Sequence, residues 1–348
     1  MIILAADIGG THCRFALFRA EPENGQQPLL RLLQERWLSS PAFPSFPDAL
    51  QSLRKKGDDG SPPLIGGEYD TPAIAALAPA GPVHGEECRL SNVNWIVRAS
   101  DVRRETGVRR VGLINDFAAQ AYACLMPQSQ DTVAILEGQA VPDAPVAVMG
   151  AGTGLGSALL LPGCRESTPP EKEEARKDML RRFSRARVLP CEGGHALFPF
   201  VGETERRFAA FAAQREGTER LINDHIVTGK GLAHIFAFHT GQDLSPPEAT
   251  AQAAGHAAVM EDFARYYARA ARNFIFSSLA LGGLHITGGM AMRLPVLTHP
   301  AFAEELRVSG AQRPLMEALP VWHMRKPHSG LWGAAVYGLL GATTKASL

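Results

Sequence analysis

The stretch IILAADIGGTHCRFALF, residues 2–18, joins two apolar runs through one aspartate, two glycines and a threonine. The runs 2–6 and 13–18 predict two β-strands, and the residues between them predict a tight turn. A plain hairpin does not explain why the carboxylate of Asp7 lies at the end of a strand that is predicted to be buried. Glycines let backbone N–H groups approach an anion closely, because no Cβ stands in the way. The turn is therefore either a simple hairpin or a phosphate-binding loop.

The segment APVAVMGAGTGLGSALLLPG, residues 144–163, repeats the order of strand, Gly/Thr turn and strand. Two hairpins of the same chemistry in distant parts of the chain predict a duplicated fold. The chain contains no Walker A loop, and Leu155 or Ser157 occupies the third glycine position of a dinucleotide fingerprint. Two such turns, one of them following an aspartate, favour phosphate binding over a plain hairpin.

Composition excludes several classes of function. The chain has 348 residues, which predicts about two domains, and it carries 35 basic and 35 acidic residues. This balance gives no excess positive charge for a nucleic-acid or anionic-membrane partner. Five cysteines without a Cys-x-x-Cys pair disfavour structural zinc and a disulfide framework, and favour reduced thiols in a cytoplasm. The first apolar run is short and interrupted by Asp7, so no signal peptide is expected.

Strands alternating with helices predict an α/β protein. Further strands are predicted at 72–81, 109–117 and 282–290, and helices at 46–56, 118–126, 330–341 and from 245 onward. Ser245 and Glu248 provide a capping box for the helical region that begins there. The charged segment 167–187 is predicted to be a solvated surface helix or a disordered insertion.

Two segments carry candidate catalytic or binding groups. Asn115 and Asp116 close the predicted strand 109–117, where a carboxylate can act as a general base. The alternative is an Asn-Asp cap for the helix that follows. Glu192 and His195 flank two glycines in LPCEGGHALF, and both can hydrogen-bond a polyol, whose hydroxyls donate and accept. The alternatives are a histidine satisfied within its own turn and, less favoured, a metal ligand, since no second histidine lies at ligand spacing.

Taken in order along nearly the whole chain, these segments resemble the bacterial glucokinase family, within the superfamily of sugar kinases, heat-shock-protein ATPases and actin. The matching segments are DIGGTHCRFAL, APAGPV with LSNVNW, LINDFAAQAYA, GAGTGLGSALL, PCEGGH, HITGGM and SGLWGAA. The resemblance implies a two-lobed, actin-like ATPase (ribonuclease H-like) α/β fold with a central cleft. Its small domain would comprise residues 1–115 plus 327–348, and its large domain residues 116–326.

The reaction that the resemblance implies is ATP-dependent phosphorylation of glucose to glucose 6-phosphate, with Asp116 as the general base. Sugar ligands would be Asn115, Glu192, His195 and Asp224. The resemblance implies ATP and Mg²⁺ as cofactors, Asp7 as the metal ligand, and a homodimer. The groups assigned to the nucleotide and its phosphates are Asp7, Gly9, Gly10, Thr11, Gly152, Thr153, Gly154, Gly288 and Gly289.

Three positions depart from the family pattern. His12 stands where asparagine is usual, Ala6 where glycine is common, and Asp224 where a second sugar-binding glutamate is expected. The aspartate is one methylene shorter, so its carboxylate would fall about 1 Å short of a sugar hydroxyl. These departures concern the preferred sugar more than the reaction type.

Three other functions remain open from the sequence. They are a kinase for another hexose or an amino sugar, a sugar-binding regulatory relative with impaired catalysis, and an ATPase without a sugar substrate. Asp116 argues against the regulator, because a pure binding protein needs no base there. The Glu192–His195 turn argues against the ATPase. The glycine loops alone do not exclude a phosphate donor other than ATP, such as ADP or polyphosphate.

Overall fold

The computed structural model describes residues 1–21, 29–90, 93–126, 131–163, 184–308 and 310–343. These residues form helices and three β-sheets, which confirms the α/β prediction. The strands are β1 (Ile2–Ile8), β2 (His12–Glu21), β3 (Leu29–Ser39), β4 (Ile74–Pro79), β5 (Val83–His84), β6 (Glu87–Arg89), β7 (Ile96–Arg98), β8 (Val111–Leu113), β9 (Thr132–Leu136), β10 (Val146–Ala151), β11 (Leu155–Leu161), β12 (Arg187–Cys191), β13 (Leu284–Thr287) and β14 (Val321–Met324).

The α-helices follow in the same chain order. They are α1 (Phe46–Ser52), α2 (Ala99–Thr106), α3 (Asp116–Ala123), α4 (Gly202–Glu216), α5 (Asn223–Ile226), α6 (Gly229–Thr240), α7 (Pro246–Ala253), α8 (Ala257–Ser278), α9 (Gly289–Arg293), α10 (Pro300–Leu306), α11 (Arg313–Ala318) and α12 (Ser329–Thr343). Among the described residues, no helix combines the length and apolar character that crossing a bilayer requires.

Two compact units divide the chain. The first comprises Met1–Pro127, Pro162–Val188 and Pro327–Leu348, and the second comprises Gln128–Leu161 and Leu189–Lys326. This division differs from the predicted boundary after residue 115, because α3 packs against α12 and β4 and so belongs to the first unit.

The first unit is built on a five-stranded sheet of order β3-β2-β1-β4-β8. Strand β1 pairs antiparallel with β2 and parallel with β4. Successive side chains of a strand point to opposite faces, so Leu4 joins one core and Ile3 joins the other. The second of these cores also contains residues of α3 and α12. Both faces of β1 are therefore buried, and Asp7 is the polar residue at its far end.

The second unit contains a six-stranded sheet of order β12-β11-β10-β13-β14-β9. Strand β10 pairs antiparallel with β11 and parallel with β13, as β1 does with β2 and β4. The next pairing, between β13 and β14, is parallel, and β4 and β8 pair in the same way. The two sheets thus share one order and direction around their glycine hairpins, as the predicted duplication requires.

Local signals explain where several elements begin and end. Ser245 and Glu248 form the predicted capping box, with the Ser245 N–H donating to Glu248 Oε2 at 2.9 Å. The helical region after 245 is two helices, α7 and α8, because the chain turns at Gly255. Helix α1 ends at Ser52, short of the predicted 46–56.

Most of the charged segment 167–187 lies outside the described residues. Its last residue, Arg187, begins strand β12, so the predicted helix or insertion does not extend to that position.

The close contact between α12 and α3 depends on Gly333. A Cβ added there would lie 1.6 Å from the backbone oxygen of Ala119, on the helix that Asp116 begins. We expect Gly333→Ala to lower the free energy of unfolding by about 2–3 kcal/mol, because the helices must separate. Thermal and urea unfolding followed by circular dichroism measure this change.

Gly341→Ala on the same helix is the matched control. The nearest atom to its added Cβ is Ile74 Cδ1 at 3.6 Å, an ordinary contact. Alanine is the better helix former, so this variant should equal or exceed the parent stability by up to about 1 kcal/mol. Equal stability of the two variants would contradict the proposed steric role of Gly333.

Candidate active site

The turn between β1 and β2 contains Gly9, Gly10 and Thr11. The Gly9 N–H donates to the carbonyl oxygen of His12 at 2.9 Å, which closes the turn. Buried Ser40 holds it from behind: its hydroxyl donates to the Gly9 carbonyl at 2.7 Å and its N–H to the Thr11 carbonyl at 3.0 Å. His12 serves the turn through its backbone, and its side chain is exposed. The histidine at this position therefore leaves the turn's hydrogen bonds intact.

Asp7 is the next-to-last residue of β1, one residue before this turn, and lies opposite Arg14 in the strand register. Arg14 Nη1 donates to Asp7 Oδ2 at 3.1 Å, and the guanidinium stacks 4.3 Å from the ring centroid of Trp37. Burial raises the pKa of Asp7 above its ordinary value, and the positive charge of Arg14 offsets part of that rise. Gly330, in the first turn of α12, contributes to this burial, since an added Cβ would lie 3.4 Å from Asp7 Oδ2.

Arg14 is a site residue that the sequence interpretation missed. The spacing contained a signal for it, because a short turn of known length places Arg14 directly across the hairpin from Asp7.

A magnesium ion fits the donor chemistry at Asp7. Within the described ranges, no three His, Cys, Asp or Glu side chains are grouped as a closed metal site would need. Mg²⁺ keeps most of its waters and is usually held by one or two carboxylates together with substrate phosphates. A single carboxylate whose ionised form is poorly solvated beside a glycine turn matches that requirement.

Asn115 and Asp116 lie at the junction of β8 and α3. Asn115 is the N-cap: its Oδ1 accepts from the N–H groups of Phe117 at 2.9 Å and Ala118 at 3.1 Å. Its Nδ2 donates to the Gly81 carbonyl at 3.3 Å. Asn115 therefore caps α3, as the alternative interpretation predicts, and β8 ends at Leu113 instead of continuing to residue 117. The cap is Asn115 alone, so it does not exclude the predicted role of Asp116.

Asp116 is the first residue of α3, where the helix dipole favours a carboxylate. Its Oδ1 accepts from the Phe117 N–H at 2.9 Å, and its side chain is half-buried. Burial, together with the negative charge of Asp116, raises the pKa of the neighbouring Cys88 thiol to about 11. The carboxylate is thus held in one place by its own helix.

The second glycine turn, Gly152–Gly154, is fixed from three sides. The Gly152 N–H donates to the Gly154 carbonyl at 2.9 Å, and the Gly152 carbonyl accepts from Gly229 at 3.0 Å. Just before the turn, the Ala151 N–H donates to the buried Tyr267 hydroxyl at 3.1 Å. Thr153 and Gly154 are exposed.

Gly288 lies beside the same turn. Its φ is +90°, and an added Cβ would lie 2.7 Å from the Ala151 carbonyl oxygen, so only glycine fits. Gly289 then begins the short helix α9. The structure therefore brings Gly288 against Ala151, the residue that leads into the second turn, and Gly289 follows Gly288 in the chain.

Glu192 and His195 lie on a single 3₁₀ turn, the Glu192–His195 turn. Their side chains are 68% and 69% exposed, and His195 Nε2 lies 3.9 Å from Glu192 Oε2. The backbone beneath them is held by Ser157 Oγ, which accepts from the Gly193 N–H at 3.1 Å. Asn223 adds a second bond, from its Nδ2 to the Gly193 carbonyl at 2.8 Å. Two polar side chains thus project from a fixed turn and are accessible to a ligand.

Asp224 follows Asn223 in α5 and lies beside both the Glu192–His195 turn and the second glycine turn. Its Oδ1 accepts from the Leu155 N–H at 2.7 Å. One oxygen of the predicted sugar ligand is therefore already engaged with the protein backbone.

The Asp7–Arg14 pair generates a pH-dependent prediction. The two side chains are 22% and 28% exposed, so solvent screens the pair only in part. We expect Arg14→Met to lower the free energy of unfolding by about 1–3 kcal/mol at neutral pH, because Asp7 loses a charged hydrogen-bond donor. Denaturant unfolding at a series of pH values measures the difference.

The sign of the pH dependence follows from the pKa of Asp7. Without Arg14, that pKa rises further in the folded state. As the pH falls, the folded variant therefore takes up a proton at a higher pH than the unfolded chain does. The deficit is full at pH values above the raised pKa and shrinks as the pH falls through it. Arg19→Met on β2 is the control; a deficit that does not change with pH would contradict the coupling to Asp7.

Known proteins resemble this chain in sequence and in fold. The sequence model named Glucokinase matches residues 4–340. A glucokinase of Pseudomonas paraeruginosa is 31% identical, covering 96% of this chain and 91% of its own, and one of Nostoc punctiforme is 28% identical over 96% and 98%. The crystal structure of a glucokinase from an Antarctic psychrotroph superposes with a TM-score of 0.76 at 26% identity, covering 97% and 98% of the two chains. The predicted actin-like α/β class and the predicted resemblance are confirmed, and the chain belongs to the glucokinase family.

Proposed function

We propose that this protein transfers the γ-phosphoryl group of ATP to the 6-hydroxyl of glucose, giving glucose 6-phosphate and ADP. The observation that carries the proposal is the pair of equivalent glycine hairpins, β1–β2 and β10–β11, in a chain of the glucokinase family. Phosphoryl transfer depends mainly on positioning and on neutralising charge, and backbone N–H groups in glycine turns serve both needs.

In the proposed reaction, Asp116 is the general base. The glucose O6 forms a bond to the γ-phosphorus while the bond from that phosphorus to the leaving oxygen of ADP breaks. The proton of the 6-hydroxyl passes to the Asp116 carboxylate. A carboxylate held at the start of α3 by its own helix suits this role, because general-base transfer requires a fixed geometry.

Asn115, Glu192 and His195 are the proposed sugar ligands. Sugar hydroxyls each donate and accept, so a carboxylate acceptor, an imidazole and an amide donor complement one another. Glu192 and His195 are exposed on their fixed turn, which supports their assignment. The Asn115 carbonyl oxygen caps α3, so its amide N–H₂ is the group proposed to reach the sugar.

On the nucleotide side, Gly9, Gly10 and Thr11 are proposed to bind phosphate through the first turn. The second turn, Gly152–Gly154, is proposed to do the same, with Gly288 and Gly289 bordering the nucleotide. Asp7 would hold Mg²⁺, which when bound supplies charge neutralisation of the phosphate oxygens. Arg14 hydrogen-bonds Asp7 Oδ2, and its positive charge favours the ionised carboxylate against the opposing effect of burial.

The proposal also includes a cytoplasmic location and a homodimer. Four described cysteines, 13, 88, 124 and 191, are free thiols, as a reducing compartment favours. Closed homodimers are the commonest assemblies of soluble enzymes. Light scattering coupled to gel filtration tests the assembly.

Asp116→Asn tests the base. We expect kcat to fall by about a hundredfold to ten-thousandfold, because the neutral amide cannot take the proton, while the Kd for glucose changes little. ADP release measured over a panel of hexoses and amino sugars gives both the rate and the preferred sugar. Asp48→Asn, at an exposed carboxylate in the first turn of α1, is the control.

Full turnover by Asp116→Asn would remove the base assignment. If the parent protein phosphorylates another hexose more efficiently than glucose, that hexose replaces glucose as the proposed substrate. If the parent protein binds sugar without turnover, the regulatory alternative is supported.

Asp7→Asn tests the phosphate side. We expect turnover to fall at least about a hundredfold, since the charge that positions the phosphates is lost, while glucose binding measured by calorimetry is retained. Asparagine has nearly the same shape, so thermal unfolding should show a folded variant. Turnover close to that of the parent would overturn the assignment of the first turn to phosphate.

A further inference from the structure

The short helix α5 lies between two parts of the proposed site in the second unit. Its first residue, Asn223, reaches the Glu192–His195 turn through the 2.8 Å bond from Nδ2 to the Gly193 carbonyl. Its second residue, Asp224, reaches the second glycine turn through the 2.7 Å bond from Leu155 to Oδ1. Neighbouring side chains therefore hold two different loops.

The space around the Asp224 carboxylate is set by two glycines. A Cβ added to Gly194 would lie 2.2 Å from Asp224 Oδ1, and one added to Gly154 would lie 3.3 Å from Oδ2. The carboxylate thus fills the gap between the Glu192–His195 turn and the Gly152–Gly154 turn. One more methylene in this side chain would push the carboxylate against one of the two backbones.

The backbone around Asp224 is tied to the same loop. Thr228 Oγ1 donates to the Asp224 carbonyl at 2.7 Å, and the next residue, Gly229, donates its N–H to the Gly152 carbonyl at 3.0 Å. The glycine turn is consequently held at both of its ends, at Gly152 by Gly229 and at Leu155 by Asp224. Through its bond to Leu155, Asp224 therefore acts on the turn that is assigned to the nucleotide phosphates.

We infer that Asp224 is a positioning residue that holds the phosphate-binding turn Gly152–Gly154 in register with the Glu192–His195 turn, instead of a direct sugar ligand. This inference rests on the proposed function. Under it, aspartate in place of the usual glutamate is the residue that fits the gap. The sugar hydroxyls are then bound by Glu192 and His195, whose own turn is held by Asn223.

Four variants test the inference: Asp224→Ala, Asp224→Asn, Asp224→Glu and Asn223→Ala. Steady-state kinetics give kcat and separate KM values for ATP and glucose, and calorimetry gives the Kd for glucose in the absence of nucleotide. We expect Asp224→Ala to raise the KM for ATP by about tenfold or more and to lower kcat, with little change in the glucose Kd. Asn223→Ala should instead weaken glucose binding.

The conservative variants give opposite results for the two roles. Asp224→Asn keeps an oxygen that accepts from Leu155 and should recover most of the activity lost in Asp224→Ala. Asp224→Glu should lose activity, because the longer side chain does not fit between Gly154 and Gly194. A gain in glucose affinity for Asp224→Glu, or a tenfold rise in glucose Kd for Asp224→Ala with unchanged KM for ATP, would overturn the inference.

Two controls separate this result from other failures. Thermal unfolding shows whether Asp224→Ala is folded, and if it is not, the Asn and Glu variants decide alone. If the parent chain phosphorylates no sugar, the proposed function fails, and calorimetry with a non-hydrolysable ATP analogue still compares Asp224→Ala with the parent. Equal nucleotide affinity in that comparison would overturn the positioning role by itself.

Discussion

The hydrogen-bonded ladder on both sides of each glycine hairpin is the constraint on which the site depends. Strand β1 is held by β2 on one side and by β4 on the other, and β10 is held in the same way by β11 and β13. A turn at the end of such a strand cannot shift without breaking two ladders. Its amide groups are therefore fixed in place, which would lower the cost of ordering in the phosphate binding proposed above.

The fold was predictable where a strand or helix is apolar enough to reveal its period. Both glycine hairpins, strand β4 and the last helix α12 were found in this way. Strand β3 was not predicted, because its sequence LLRLLQERWLS mixes charges into the pattern. It lies at the edge of its sheet, where charged side chains are common because they discourage pairing with other chains. The sequence pattern of such an edge resembles that of a surface loop.

In the site, residue types and order identified the candidate groups but not their partners. Asn115 could be recognised as a cap or a ligand, and only the bonds to Phe117 and Ala118 show which role its carbonyl oxygen takes. Ser40 and Tyr267 hold the two glycine turns from elements far away in sequence, and no local pattern marks them. Asp224 was compared with a longer family residue by position alone. Its bond to Leu155 depends on how two distant segments pack, which spacing does not encode.

The return of the C-terminal helix to the first unit also governs the order in which the chain can fold during synthesis. One core of that unit combines Ile3, Phe18 and Tyr122 with Leu331 and Leu339. The apolar face formed by the first strands, which α3 covers only in part, therefore stays incompletely covered until Leu331 and Leu339 have left the ribosome. The segments of the second unit come between these parts in the sequence, so the second unit is fully synthesised before the last helix is. Folding of the first unit cannot be completed until α12 has been synthesised. Until then the unit exposes an apolar surface, which favours aggregation and is the kind of surface that molecular chaperones bind.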